Sequence, residues 1–193
     1  MRPMRLPLAL LACLATGTAL AAPAVYDVDP THTHPVFETD HFNGMSVWRG
    51  LFKKSRGTIT LDKAANAGSV DIYVDTSSVT LGVDKLDEEV AGTGYLESNK
   101  FPEAHYTGKL GGFVDGAPTL VDGQLTLHGV TKPLQLKILS FKCATHPLYK
   151  RDWCGADALG SFNRDDFGID AGKPWGFKMG VTLRIQVEAV LHQ

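Results

Sequence analysis

The stretch "FKMGVTLRIQVEAVL", residues 177–191, constrains the fold more than any other part of the chain. Phe177, Met179, Val181, Leu183, Ile185, Val187 and Ala189 recur at every second position, with Lys178, Thr182, Arg184, Gln186 and Glu188 between them. A repeat of two sends successive side chains to opposite faces of an extended backbone, so this run predicts a long strand with one dry and one wet face. The same alternation recurs in "GTITLD" (Gly57, Ile59, Leu61), "SVDIYVD" (Val70, Ile72, Val74), "QLTLH" (Leu125, Leu127) and "LQLKILSF" (Leu134, Leu136, Ile138). Turn signals separate the runs: Asn43-Gly44, Asn66-Ala67-Gly68, Gly111-Gly112, Asp115-Gly116-Ala117-Pro118 and "HGVTKP" at 128–133. Roughly eight such runs predict an all-β antiparallel meander with one face in water, enough strands to close into a barrel and remove its exposed edges.

Helix is scarce. "DKLDEEVAG" at 84–92 is the best candidate, with Asp84 as its cap, Leu86 and Val90 as a narrow apolar stripe, and Gly92 as its stop. A short amphipathic helix of this kind is expected to lie over one end of a barrel.

The first 21 residues read as a secretory signal peptide. Arg2 and Arg5 precede an apolar run from Leu6 to about Leu20, and Ala19-Leu20-Ala21 supplies a cleavage site. An alternative takes "LLAC" at 10–13 as a lipoprotein site with Cys13 lipidated, but the apolar run continues past Cys13 and Leu11 is unusual there. Cleavage after Ala21 leaves one domain, 22–193, with 17 basic and 21 acidic residues, a formal charge of −4. No basic block is present, which argues against nucleic acid as a partner. Export to the periplasm places Cys143 and Cys154 in an oxidising compartment, so the two are expected to form one disulfide closing "CATHPLYKRDWC".

His32, His34 and His41 fall within ten positions. Zinc sites favour compact, convergent pairs such as H-x-x-x-H, and H-x-H followed by a gap of six is not one, so these histidines read as strand-end residues and no metal is expected. From Val36 on, Phe37, Thr39 and His41 share one face of an extended chain, and Val36, Glu38, Asp40 and Phe42 the other. No G-x-S-x-G, G-x-x-x-x-G-K or H-E-x-x-H is present, and no nucleophile stands out. A non-enzymatic role follows as the expectation, with no cofactor.

Five segments in order resemble the YceI-like family of exported polyisoprenoid-binding proteins. They are Tyr26, Asp29, His32, Phe37 and His41 with Gly50 and Phe52; "DTSSV" at 75–79; the "KFPEAHY" stretch with Phe101, Pro102 and Tyr106; "GQLTLHGVTKPL" at 123–134; and "FNRDDFGID" at 162–170. The resemblance runs from about Val25 to Leu191. It implies an eight-stranded antiparallel lipocalin-like barrel with one or two short helices, enclosing a long apolar tunnel for the prenyl chain of an amphiphile. The implied role is a periplasmic carrier that sequesters a polyisoprenoid or prenyl-quinone-like lipid, with transient membrane contact, and an open tunnel end or strand edge could pair two chains as a homodimer. The alternatives are a hydrolase acting on a small amphiphile and a metal-binding stress protein using His32, His34 and His41. Inward alternation in such a barrel makes Phe37, Phe42, Val47, Ile59, Ile72, Val74, Leu125, Leu127, Phe167, Val181, Leu183 and Ile185 the expected tunnel lining. Two features depart from the family. Its Arg-Asp-x-His-Leu element is reduced here to Asp87 and Val90, and the Cys143–Cys154 segment is an elaboration expected to reshape one mouth of the tunnel.

Overall fold

The computed structural model describes residues 22–193; the stretch read as a signal peptide, Cys13 included, lies outside the described residues. The described chain runs β1 (Ala24–Val28), β2 (Val36–His41), β3 (Ser46–Phe52), β4 (Ser55–Asp62), β5 (Ala67–Asp75), β6 (Val79–Thr80), α1 (Asp84–Ala91), β7 (Glu103–Gly111), β8 (Leu120–Leu127), β9 (Val130–Thr145), β10 (Asp152–Asn163) and β11 (Gly180–Leu191). Eight of the strands close an antiparallel ring, β1-β4-β5-β7-β8-β9-β10-β11, with β1 pairing back onto β11. β1, pairing with both β4 and β11, joins the sheet into a ring, as the alternation predicts for a chain with this many half-buried strands.

One strand serves two partners. The end of β11 pairs with β1 (Ala189 with Val28, Leu191 with Tyr26), whereas its start pairs with β2 (Val181 with Thr39, Arg184 with Val36). Between them "DPTHTHP", bracketed by Pro30 and Pro35, leaves the sheet and returns to it. Thr33, almost fully buried, holds this crossing by bonding Glu188 on both sides, its hydroxyl donating to the carbonyl at 3.2 Å and accepting from the amide at 3.1 Å. β3 and then β6 extend the sheet from β2.

Three local expectations need correction. Asp84 does not cap α1. The chain turns at Gly82 out of extended β6, so Val83 falls on the cap position and makes no side-chain cap bond, while Asp87 accepts the Leu81 amide at 2.6 Å. Gly92 does end the helix. The turn read over 128–133 is only two residues long, His128 and Gly129, both at positive φ, and Pro133 sits inside β9. Finally, the cysteine segment is no appended loop. Cys143 and Cys154 face each other across β9 and β10, and their disulfide joins them directly.

The interior holds two cores. Around the disulfide, Tyr26, Leu61, Cys154 and Ala189 are buried with Phe113, Phe141 and Cys143 against them. Tyr26 donates from its hydroxyl to Asp152 at 2.7 Å, and Lys63 bonds the same carboxylate at 2.8 Å, so the polar end of this ring is satisfied at the rim. The larger core lies beyond it, toward the end carrying α1, the β2–β3 turn and the 164–179 connection, and includes Val79, Leu96, Val121, Leu125, Leu134 and Phe167.

Candidate functional site

The larger core is hollow. A cavity of about 530 Å³ runs along the barrel axis, inside the roughly 300–1,000 Å³ typical of ligand pockets. Its wall follows the strand alternation: Val70, Ile72 and Val74 on β5, Leu134, Leu136 and Ile138 on β9, Val181, Leu183, Ile185 and Val187 on β11. An eight-stranded barrel has just enough interior to be filled by its own side chains or to admit one guest. Small inward residues tip this one toward a guest: Ala104 on β7, and Ala156 and Ala158 on β10, all lie on the wall.

Tyr106, which a ring of this size could use to fill the bore, is instead laid against the wall. It crosses Gly123, where a Cβ would stand 2.5 Å from its ring, and its hydroxyl donates to the Leu134 carbonyl at 2.9 Å. Burial pushes this phenol well above its ordinary pKa, with the nearby Asp122 carboxylate adding to the effect, so it stays a neutral donor.

One end of the cavity is shut. Tyr26, Leu61, Cys154 and Ala189 lie beyond it and none lines it; the bore stops at Ile59, Leu110 and Phe141, which also pack onto that second core. The other end is partly covered by α1 and the segment after it, through Leu86, Glu89, Val90, Tyr95 and Leu96. Beside them the wall reaches solvent at Phe42 and Trp175, 51% and 71% exposed. Aromatic rings gather there: Phe42 on Phe177 at 4.7 Å between centroids, His41 stacked on Trp48 at 4.6 Å and edge-on to Phe177 at 5.1 Å. Polar groups on the wall are few. Thr39 Oγ1 is buried without a partner. Arg164, almost fully buried, donates to the carbonyls of Ile169 at 3.1 Å and Ala171 at 2.6 Å, and burial lowers its pKa.

Of the twelve residues expected to line a tunnel, ten lie on this wall: Phe37, Phe42, Ile59, Ile72, Val74, Leu125, Leu127, Val181, Leu183 and Ile185. Two do not. Val47 is 52% exposed on the outer side of β3, opposite Asp40, because the Phe42–Asn43 turn at positive φ resets which residues of that hairpin face inward. Phe167 is buried on a short 3₁₀ turn behind Phe162, edge-to-face at 5.2 Å, and so supports the wall without facing the bore. The alternation named in the sequence already held Leu134, Leu136 and Ile138. Ala156, Ala158 and Phe162 were missed, since the small residues of β10 give little hydrophobic amplitude, and Trp175 and Tyr95 come from loops that no period marks.

The three neighbouring histidines do not converge. His41 belongs to the aromatic mouth, His34 leaves its buried Nδ1 without a partner, and His32 stands outside the barrel with Nδ1 2.8 Å from Asp29 and 3.9 Å from Glu188. Asp29, His32 and Glu188 do bring ligand-type atoms within 4.8 Å of one another. Those atoms are engaged in hydrogen bonds, Asp29 with Thr31 and His32, Glu188 with the Trp153 indole at 3.2 Å. The trio expected for a metal-binding alternative is therefore not the group the fold assembles.

Comparison with known proteins gives a consistent picture. Residues 26–191 match the family described as the YceI-like domain. A UPF0312 protein of Pseudomonas putida (strain W619) is 30% identical over 184 residues, which is 93% of this chain and 92% of that protein. Among solved structures, the YCEI protein of Campylobacter jejuni superposes with a TM-score of 0.65 at 22% identity, covering 77% of this chain and 88% of its own. A polyisoprenoid binding domain from Saccharophagus degradans implicated in plant cell wall breakdown gives 0.62 at 17% identity, covering 88% and 99%. At these identities the structural likeness establishes the barrel.

Proposed function

This chain belongs to the YceI-like domain family, and from that premise we propose that it is a non-catalytic periplasmic carrier whose bore sequesters the tail of a polyisoprenoid or prenyl-quinone-like amphiphile. The observation that carries the reading is the bore itself, about 530 Å³, walled by aliphatic and aromatic side chains and shut at the stapled end. Each methylene moved from water into such a space contributes about 0.8 kcal/mol, and ordering the tail offsets part of that gain. A bore shut at one end suits a guest with one tail and one polar head. The ten wall residues named from the sequence would be its contacts. The Saccharophagus degradans domain, described as polyisoprenoid binding, supports the ligand class, and the charged-apolar-small pattern of residues 1–21 supports the compartment. Transient membrane contact would serve loading from a bilayer.

The test is mass spectrometry of solvent extracts from protein purified in its native state. A stoichiometric long-chain isoprenoid is expected. Repeated extracts free of any lipid, from protein that also fails to take up added prenyl alcohol, would remove the reading.

A further inference from the structure

The barrel is not sealed along its whole length. β9 and β10 pair from Asp152 with Thr145 as far as Leu159 with Lys137, and there the ladder stops. β9 continues back to Val130, paired only with β8, and β10 continues to Asn163, paired only with β11. Where the two part, Gly160 leaves room for Leu136, whose Cδ2 would stand 2.5 Å from a Cβ there. Pro133, which has no amide hydrogen to give a ladder, lies on the parted stretch, the kind of position sheets reserve for it.

A groove of about 600 Å³ opens on the outer side of this gap, with Pro133, Phe162, Phe167 and Val181 as its apolar floor. Phe162 and Val181 also line the bore, so a single layer of side chains divides the two spaces. Around the floor stand Lys132 and Lys178, Asp40 and Asp166, with Ser161, Asn163 and Thr182 between them. Lys132 pairs with inward-facing Leu125 and so belongs to the inner face of β9, yet it is exposed, because the gap opens beside it.

We propose that this seam is the lateral way into the bore, and that the outer groove holds the head of the guest while its tail lies inside. The inference rests on the carrier reading above. Parting β9 from β10 beyond Leu159 and Lys137 breaks no ladder hydrogen bond between them, so local opening is cheap here. The axial end is partly covered by α1 and by Tyr95 and Leu96. Two ammonium and two carboxylate groups cancel on the rim, and donors and acceptors alternate around it. Such a rim suits an uncharged oxygen-bearing head, an alcohol or a carbonyl.

Uptake of all-trans-retinol, an isoprenoid alcohol whose fluorescence rises in apolar surroundings, tests the proposal in stopped flow. Ser161→Cys places a thiol at an exposed position beside the seam, and Lys85→Cys places one at an exposed position on α1 over the axial end; each is coupled to the same bulky uncharged maleimide. The Ser161 adduct is expected to slow uptake about tenfold and weaken binding; the Lys85 adduct should change the rate less than twofold. A Ser161 adduct with unaltered uptake, or a Lys85 adduct that slows it as much or more, overturns the seam and leaves the carrier reading in place. Unmodified protein that takes up no retinol overturns both.

Discussion

On β4, Ile59 faces the hollow bore, and Leu61, two residues further along the same face, is buried at 3% exposure in the core around the disulfide. The same division runs through β11, where Val181 to Val187 line the cavity and Ala189 is sealed at 1% exposure. One alternation thus builds both ends of the barrel, and what distinguishes them is what meets across the axis. At the stapled end Tyr26, Phe113 and Phe141 converge with the disulfide. In the bore, Ala104, Ala156 and Ala158 face the axis and Tyr106 is folded flat over Gly123. Period fixes which way a residue points; volume summed over all facing strands fixes whether anything is left between them.

The largest contrast should come from adding volume at each end. Ala158→Trp projects into the bore, where space exists, so it is expected to fold with a melting temperature close to the parent while co-purified or added isoprenoid falls at least tenfold. Ala189→Trp enters a filled core, where forced overpacking costs about 1–3 kcal/mol or more, and little folded protein is expected. Circular dichroism melts with retinol titration read both effects. If Ala158→Trp keeps full binding, the bore is not the ligand site; if Ala189→Trp folds normally, the stapled end is not solid.

Subtraction should run the other way. Leu61→Ala empties a closed space and is expected to cost about 2–5 kcal/mol in urea unfolding, transfer and cavity terms together. Ile72 is only half-buried and already faces an opening, so Ile72→Ala should lose little beyond part of the transfer term, roughly 1 kcal/mol. Equal losses at the two positions would mean that the bore is packed in solution.

The fold was legible because it rests on sign alone: apolar against polar at alternate positions of 177–191, 57–62 and 70–75 suffices to call for antiparallel strands. The hollow is a matter of size, and size was read only in part. Ten wall residues were placed because each is large and apolar within an alternating run. β10 escaped notice because "CGADALGSFN" offers alanines and glycines where a strand is usually recognised by Val, Ile or aromatic residues, and those small side chains are what keep the bore open. Val47 was misplaced for a different reason. A turn with Phe42 and Asn43 at positive φ breaks the count of alternate positions, and nothing before Asn43-Gly44 signals where the count restarts. The cysteine segment looked like an insertion because its spacing resembles a loop; in space it is a cross-strand pair inside the ring.

That pair offers a third contrast. The disulfide closes a loop with a sequence separation of 11, for which chain entropy predicts about 3 kcal/mol. Replacing both cysteines by alanine should lower stability by about that amount and leave retinol affinity within twofold, since the bore ends before Cys154. A large loss of binding would show that the plug sets the depth of the bore as well as its stability.

The smallest effect is expected at the crossing between the two ends, where β1 leaves β11 and β2 joins it. His32 is exposed there, and its hydrogen bond to Asp29, with the attraction of that carboxylate, raises its pKa above the ordinary imidazole value. Burial pushes the Asp29 carboxyl up, but hydrogen bonds from Thr31 and His32 outweigh it and hold it below the usual carboxylate range. The signs differ. The His32 contribution is complete below the unfolded imidazole value of about 6.5 and disappears as pH rises through the folded value. The Asp29 contribution is present above its unfolded value and disappears as pH falls through the folded one. The contact is therefore whole only in the acidic window between the two folded values. NMR titration of the His32 ring should give an elevated midpoint, and Asp29→Asn should return it toward the ordinary value with retinol uptake unchanged. Because Glu188 lies 3.9 Å from the same ring, a midpoint that stays high in Asp29→Asn and drops in Glu188→Gln would assign the shift to β11. The crossing would then be held through the strand that both ends share, with the bend itself contributing little.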